Sequence, residues 1–261
     1  MHKKLFEYAS LKGYRNNILL ITCVVFLTLI TYAYHSPLFL LYVGEKTFGG
    51  TPPVFYNISI AEKAYTRASE LKINDKPTPW AHYQLGRIAF IKGDLPLALT
   101  YFKKELEYYP NHTKVYYMEG LTFGYMGRER EGIKAFTWYT QNTNDSWASF
   151  NDLAWLQFRV GDIEEALETI EPIAKNQPYN PWVANTYAVL LMNTGRHQEA
   201  KASLQRGLIT LDTMTEEDWG IAYPGNDPRI YNKGLTSMRE SFESNQQLVD
   251  EKLRTQAPAT R

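Results

Sequence analysis

Gly93, Gly127, Gly161 and Gly195 follow one another at intervals of 34 residues, and the rest of the chain has to be arranged around that period. Seven residues before each glycine stands a small residue: Gly86, Gly120, Ala154 and Ala188. Five residues after it comes another, Ala98, Gly132, Ala166 or Ala200, and nine after it a bulky apolar one, Phe102, Phe136, Ile170 or Leu204. The chain breaks seventeen residues on, at Pro110, Asn144, Pro178 or Asp212. Four kinds of position held in phase without an insertion predict a stack of two-helix hairpins, each bending at its glycine.

The spacing resembles the tetratricopeptide repeat family over roughly residues 79–212. Leu85–Gly86 matches that family's leucine–glycine pair, and Pro110 and Pro178 match its closing proline. Glu119 departs from it, standing where leucine is usual, and Pro172 falls late in a second helix. The resemblance implies an all-α, right-handed superhelical solenoid with a concave groove. It specifies the fold more than the function, because that scaffold is reused for many partners.

The units are expected at 79–112, 113–146, 147–180 and 181–212. Asp94 should cap the second helix of unit one and Asn180 the first helix of unit four. Asp162 and Glu165 have the spacing of a capping box. Thr78 should cap the helix that begins unit one, with Pro79 in its first turn. Residues 56–78 read as a lone leading helix, a half repeat of the kind that closes solenoid ends. Residues 213–229 read as a loop with turns at Pro224–Gly225 and Asn226–Asp227 and a solvated acidic cluster, Glu216 to Asp218. Residues 230–253 should form a capping helix whose face carries Leu235, Met238, Phe242, Val249 and Leu253. The tail, 254–261, should fray.

Ile18 to Tyr34 carries no charge and as a helix would span about 25 Å, a little under a bilayer core of roughly 30 Å. Continued through Pro37 as a kink to Val43, residues 18–43 would cross with tilt. Lys3, Lys4, Lys12 and Arg15 precede the run against one acid, Glu7. That bias puts residues 1–17 in the cytoplasm and everything after the linker of 44–55 outside it, periplasmic or extracellular. An uncleaved single-pass anchor is favoured over a cleaved signal peptide, because Tyr32 and Tyr34 crowd the small-residue site at Thr31 and Ala33.

The chain has 28 basic and 28 acidic residues, so nothing draws it to nucleic acid. Its one cysteine, Cys23, lies in the apolar run, which excludes an internal disulfide or a cysteine metal site in the domain. The five histidines are scattered, and no HExxH, GxSxG, CxxC or phosphate-binding glycine loop occurs. The expectation is a non-catalytic chain without cofactor or metal.

By family resemblance, the first helix of each unit lines the groove. That assigns Trp80, Tyr83, Gln84 and Arg87 from unit one, and Lys114, Tyr117, Met118, Leu121 and Tyr125 from unit two. Unit three supplies Asn151, Asp152, Trp155, Phe158 and Arg159; unit four supplies Trp182, Asn185, Val189, Met192 and Asn193. Aromatic side chains anchor interfaces at low entropic cost, and the amides of Asn151 and Asn185 could bond successive peptide groups of one ligand strand. Tyr83 and Arg87 stand where the family's chaperone-tail clamp has lysine and asparagine, which argues against that ligand. The expected function is a membrane-anchored scaffold that binds a protein or peptide in the groove, in an envelope, secretion or surface-assembly complex. The alternative is a small molecule or glycan stacked on the aromatic rings. Tyr117→Ala with Trp155→Ala is expected to abolish capture without unfolding the domain.

Overall fold

A computed structural model describes residues 2–49, 55–143, 147–222 and 230–256. The turns expected at Pro224–Gly225 and Asn226–Asp227, the break at Asn144, residues 50–54 of the linker and the last five residues lie outside that set. The chain divides into two compact bodies, residues 1–48 with 53–81, and residues 49–52 with 82–261.

The first body begins with α1 (His2–His35) and α2 (Pro37–Gly44). Within α1, Asn17–His35 has a mean hydropathy of 2.0 and none of it is buried against protein. It is the one helix among the described residues long and apolar enough to cross a membrane, and its bare surface sets it apart from a core helix. The apolar run does not continue as one kinked helix to Val43. Ser36 leaves helical geometry and its side chain caps a new helix, α2, with Pro37 in the first turn where its missing N–H costs nothing. Helix α2 packs against α3 (Ile58–Glu70), burying Leu40 with Ala64 and Ala68. Gly44 lets the backbone pass the buried Tyr65 ring, which a Cβ there would strike.

Residues 45–49, expected to be linker, form a π-helical turn with Thr47 and Phe48 buried. Asn57 caps α3 through its side chain. A two-residue antiparallel hairpin follows, β1 (Lys72–Ile73) and β2 (Lys76–Pro77), with Asn74 and Asp75 in the left-handed region at its turn. It is the one departure from all-α structure among the described residues. The Thr78 hydroxyl donates to the Leu71 carbonyl rather than capping α4 (Ala81–Ile91), and Trp80 sits at φ +71° immediately before that helix.

The second body is the solenoid. After α4 come α5 (Leu95–Tyr108), α6 (Thr113–Tyr125), α7 (Glu129–Asn142), α8 (Trp147–Arg159), α9 (Ile163–Asn176), α10 (Pro181–Asn193) and α11 (His197–Leu211). The four marker glycines have φ of +81°, +70°, +86° and +74°. Around them one hydrogen bond recurs a repeat apart: Asp94, Arg128, Asp162 and Arg196 N–H donate to the carbonyls of Ala89, Phe123, Gln157 and Leu191 at 2.9–3.0 Å. That six-to-one bond closes a helix over a left-handed residue, which glycine adopts without a Cβ penalty.

Asp94 and Asn180 cap their helices as the sequence predicts. Asp162 does not; its carboxylate faces the Arg130 guanidinium at 3.6 Å and makes no cap bond. Pro172 is accommodated inside α9, which runs on to Asn176. The segment read as a loop contains α12 (Glu216–Ile221), in which Thr215 and Asp218 form a reciprocal capping box. Glu216, Glu217 and Asp218 occupy its first turn, where the helix dipole favours acids. Helix α13 (Tyr231–Gln256) then covers the end of the stack, with Leu235, Phe242 and Val249 buried against α10 and α11.

Candidate interaction groove

Each first helix offers the same register positions, yet the structure uses them differently. In unit one three of the four face inward. Tyr83, Gln84 and Arg87 are buried, and Arg87 Nη1 donates to Gln84 Oε1 at 2.8 Å. The Tyr83 N–H, an orphan donor in the first turn of α4, is taken up by Glu105 Oε2 at 3.3 Å. Glu105 is 1% exposed and its other oxygen pairs with His112 Nδ1 at 3.0 Å. A buried carboxylate needs such partners, and this cluster holds the α4–α5–α6 junction together. Trp80 is exposed and lies just outside α4.

Units two and three form an open site. Gly120, Leu121, Gly124 and Tyr125 of α6, Phe136 of α7, and Asp152, Trp155 and Leu156 of α8 line a pocket of about 230 Å³. Tyr125 is 73% exposed and Trp155 42%, a large apolar area for residues facing solvent. The Asp152 carboxylate accepts from the Tyr117 hydroxyl at 2.9 Å and from Asn151 Nδ2 at 3.3 Å. Arg159 sits at the rim, donating to the Gly124 carbonyl at 3.4 Å and pairing with Glu129 at 2.7 Å. Lys114 is exposed, Met118 is buried in the core between units one and two, and Asn151 is buried.

One lining residue departs from the repeat pattern. The position of Gly124 in α6 is held by Phe90 in α4, Phe158 in α8 and Met192 in α10, all of which pack onto hydrophobic clusters. The Leu156 side chain stands over the bare backbone there: a Cβ at Gly124 would come within 3.1 Å of Leu156 Cδ2. The departure is visible in the aligned repeats, although marker residues alone do not draw attention to it. Gly120, one turn earlier, seats the Phe136 ring at the pocket floor, where a Cβ would sit 2.8 Å from the ring.

The Tyr125 phenol titrates above its ordinary value, first through burial and second through the charge of Asp152. Elsewhere on α6, burial pushes Glu119 up to about 7. Glu119 occupies the position of Leu85, Leu153 and Tyr187 in the other units, on a face that a first helix buries.

In unit four the groove position is occupied by the protein itself. Asn185 Nδ2 donates to Ser241 Oγ at 3.1 Å, and its Oδ1 accepts from Asn245 Nδ2 at 2.8 Å. Asn151 and Asn185 therefore do not act as paired grips on one ligand strand: the first is buried beside Asp152 and the second is spent on α13. Trp182 is half-buried against Trp147, with ring centroids 5.2 Å apart, and the exposed Asn193 bonds back to the Val189 carbonyl. Among the described residues no group of three or more His, Cys, Asp or Glu side chains is placed to hold a metal.

Residues 148–172, in α8 and α9, match the tetratricopeptide repeat family. No curated protein matches the chain by sequence. Among solved structures, the chain is similar to YrrB, described as a TPR protein with an unusual peptide-binding site, at 16% identity and a TM-score of 0.52, covering 75% of this chain and 98% of that one. It is similar to PilF of Pseudomonas aeruginosa at 17% identity and a TM-score of 0.52, covering 78% and 86%. MamA from AMB-1 gives 16% identity and a TM-score of 0.50, covering 64% and 95%. At these identities the likeness is one of fold: the chain folds as a tetratricopeptide-type solenoid.

Proposed function

We propose that this chain is a membrane-anchored scaffold that holds a peptide or protein partner on the face formed by α6 and α8. The observation that carries the reading is the pocket between them, where Tyr125 and Trp155 are exposed around an oriented carboxylate. Interfaces are anchored by aromatic residues set in pockets and ringed by polar groups, and this is the arrangement here. Its volume is below the roughly 300–1,000 Å³ of typical small-molecule sites and suits one side chain of a larger partner. That weighs against the small-molecule or glycan alternative. The anchor is the Asn17–His35 segment, with the lysines and arginine before it on the cytoplasmic side and the solenoid on the other. Tethering of this kind raises the effective concentration of partners in the same membrane.

The test must spare the fold. Tyr117 packs on Phe136 and Tyr139 and donates to Asp152, so Tyr117→Ala would damage the core as well as the groove. Trp155→Ala alone is the cleaner variant. It should lower photo-crosslinking of partner to a probe at Tyr125 in native membranes by tenfold or more, leaving the thermal melt within about 1 kcal/mol of wild type. In the same membranes, protease added from the outer side should cut the solenoid. Undiminished crosslinking by folded Trp155→Ala would move the site off this face.

A further inference from the structure

We propose that the exposed face of α2 lies in the headgroup layer of the bilayer and seats the first body on the lipid surface. This rests on the membrane-anchor reading above and adds a second lipid contact beside the span. Helix α2 has two unlike faces. Leu40 and Gly44, one turn apart, face α3, where Leu40 packs with Ala64 and Ala68 and the Gly44 backbone passes the Tyr65 ring. Leu38 and Tyr42 lie two residues from these, on the opposite side of the helix, and are 70% and 58% exposed. Phe39 beside them is exposed as well. So is Phe55, which its N–H bond to the Lys46 carbonyl at 2.9 Å brings to the end of α2. Large apolar side chains gathered on one side of a helix whose other side is packed mark a surface for an apolar partner.

Position identifies that partner. Helix α2 begins two residues after the span ends at His35, and at most about 11 Å of chain separates Leu38 from that end. The headgroup layer on each side of a bilayer is roughly 5–8 Å deep. The break at Ser36 lets α2 turn off the line of the span. Arg67 of α3 lies over the Tyr34 ring at 4.4 Å and its Nε donates to the Tyr34 carbonyl at 3.5 Å, so the end of the span is tied to the α2–α3 pair. Tyrosine rings such as Tyr42 collect at membrane interfaces. Lys46 Nζ sits 5.5 Å from the Tyr42 ring centroid, and its stem can lie along apolar surface while the charge reaches the phosphates. Glu45 offsets that charge, so the face is drawn to the acyl boundary rather than to anionic lipid.

The experiment uses the full chain reconstituted in phosphatidylcholine vesicles. Cys23, its one cysteine, is replaced by serine, and a fluorescent dye is attached to Leu27→Cys in the span, Phe39→Cys or Tyr42→Cys in α2, or Lys63→Cys on the exposed side of α3. Phosphatidylcholine with a nitroxide near the top of its acyl chain should quench the dye in α2 about threefold or more over the dye at Lys63. A nitroxide deep in the acyl chain should quench the dye at Leu27 most. Leu38→Glu with Tyr42→Glu should bring quenching at Phe39 down to the level at Lys63. In the unsubstituted chain, phosphatidylcholine carrying a photoreactive group near its glycerol should label the α2 peptide, a readout that needs no variant to fold. Deep quenching at Leu27 with no more quenching in α2 than at Lys63, or quenching at Phe39 that survives both glutamates, would overturn the proposal and leave the anchor standing. Shielding of α2 from aqueous iodide without nitroxide quenching would also overturn it, giving the face to the solenoid or a second copy. No quenching at Leu27 would overturn both.

Discussion

The step from α6 to α8 and the step from α10 to α13 start from equivalent residues, Tyr117 and Asn185, and end differently. At both, the side chain reaches forward to the next helix: Tyr117 to Asp152, and Asn185 to Ser241 and Asn245. At the first step an open pocket remains, with two exposed rings beside it. At the second, Met192 packs onto the core, Phe242 and Val249 are fully buried, and Lys201 pairs with Asp250 at 2.7 Å across the seam. The same backbone geometry thus gives a sealed junction at one step and an open pocket at the other. Solenoid ends need sealing because the last unit has no successor to cover its apolar face.

Three changes would break or sharpen that contrast. The largest effect should come from the sealed end. Phe242 lies against Ala184 and beside Gly207, whose missing side chain makes room for its ring. Phe242→Ala should cost about 3–5 kcal/mol, read as a lower urea midpoint. An effect under 1 kcal/mol would mean that α13 is a dispensable appendage rather than a seal.

Unit two should respond next, through Glu119. Its folded carboxyl titrates near 7 against an ordinary 4.5, because burial disfavours its charge. The folded state therefore binds more protons than the unfolded one between those values, and stability should fall as pH rises from about 4.5 to about 7 and change little from this group above it. Glu119→Leu should stabilise the protein by about 1–3 kcal/mol at pH 8 and by much less at pH 5. Urea titrations at the two pH values would decide it; equal gains at both would show that the Glu119 charge is not the cause. Asn185→Ala should have the smallest effect, about 1 kcal/mol from two lost hydrogen bonds at the seam. Leaving the groove between α6 and α8 untouched, it should not alter partner capture there, which the crosslinking assay reads directly.

Much of this architecture was legible in the residues because it rests on local rules. A glycine free to adopt positive φ ends one helix at the same place in four units, and the sequence spacing marks each bend. The apolar stripe of α13 shows in its spacing because a helix buries one face. The misreadings arose where a side chain's fate depended on a neighbour distant in sequence. Ile18 to Val43 looks like one apolar stretch, yet Leu40 belongs with Ala64 and Ala68 of α3, and the helix divides at Ser36 to bring it there. Tyr83 and Arg87 hold groove positions by register, but the structure buries both.

What the sequence determined by itself was the period, the hairpin bends, the apolar faces and the helix most suited to a membrane, since each follows from backbone freedom or from hydrophobic spacing within a few turns. Tertiary structure alone decided which groove positions face outward. Asn185 of α10 is taken by α13, Tyr83, Gln84 and Arg87 of α4 are buried, and beside Gly124 the rings of Tyr125 and Trp155 stay exposed. Packing is the reason: a side chain is available to a partner only where no other part of the chain has filled the space around it.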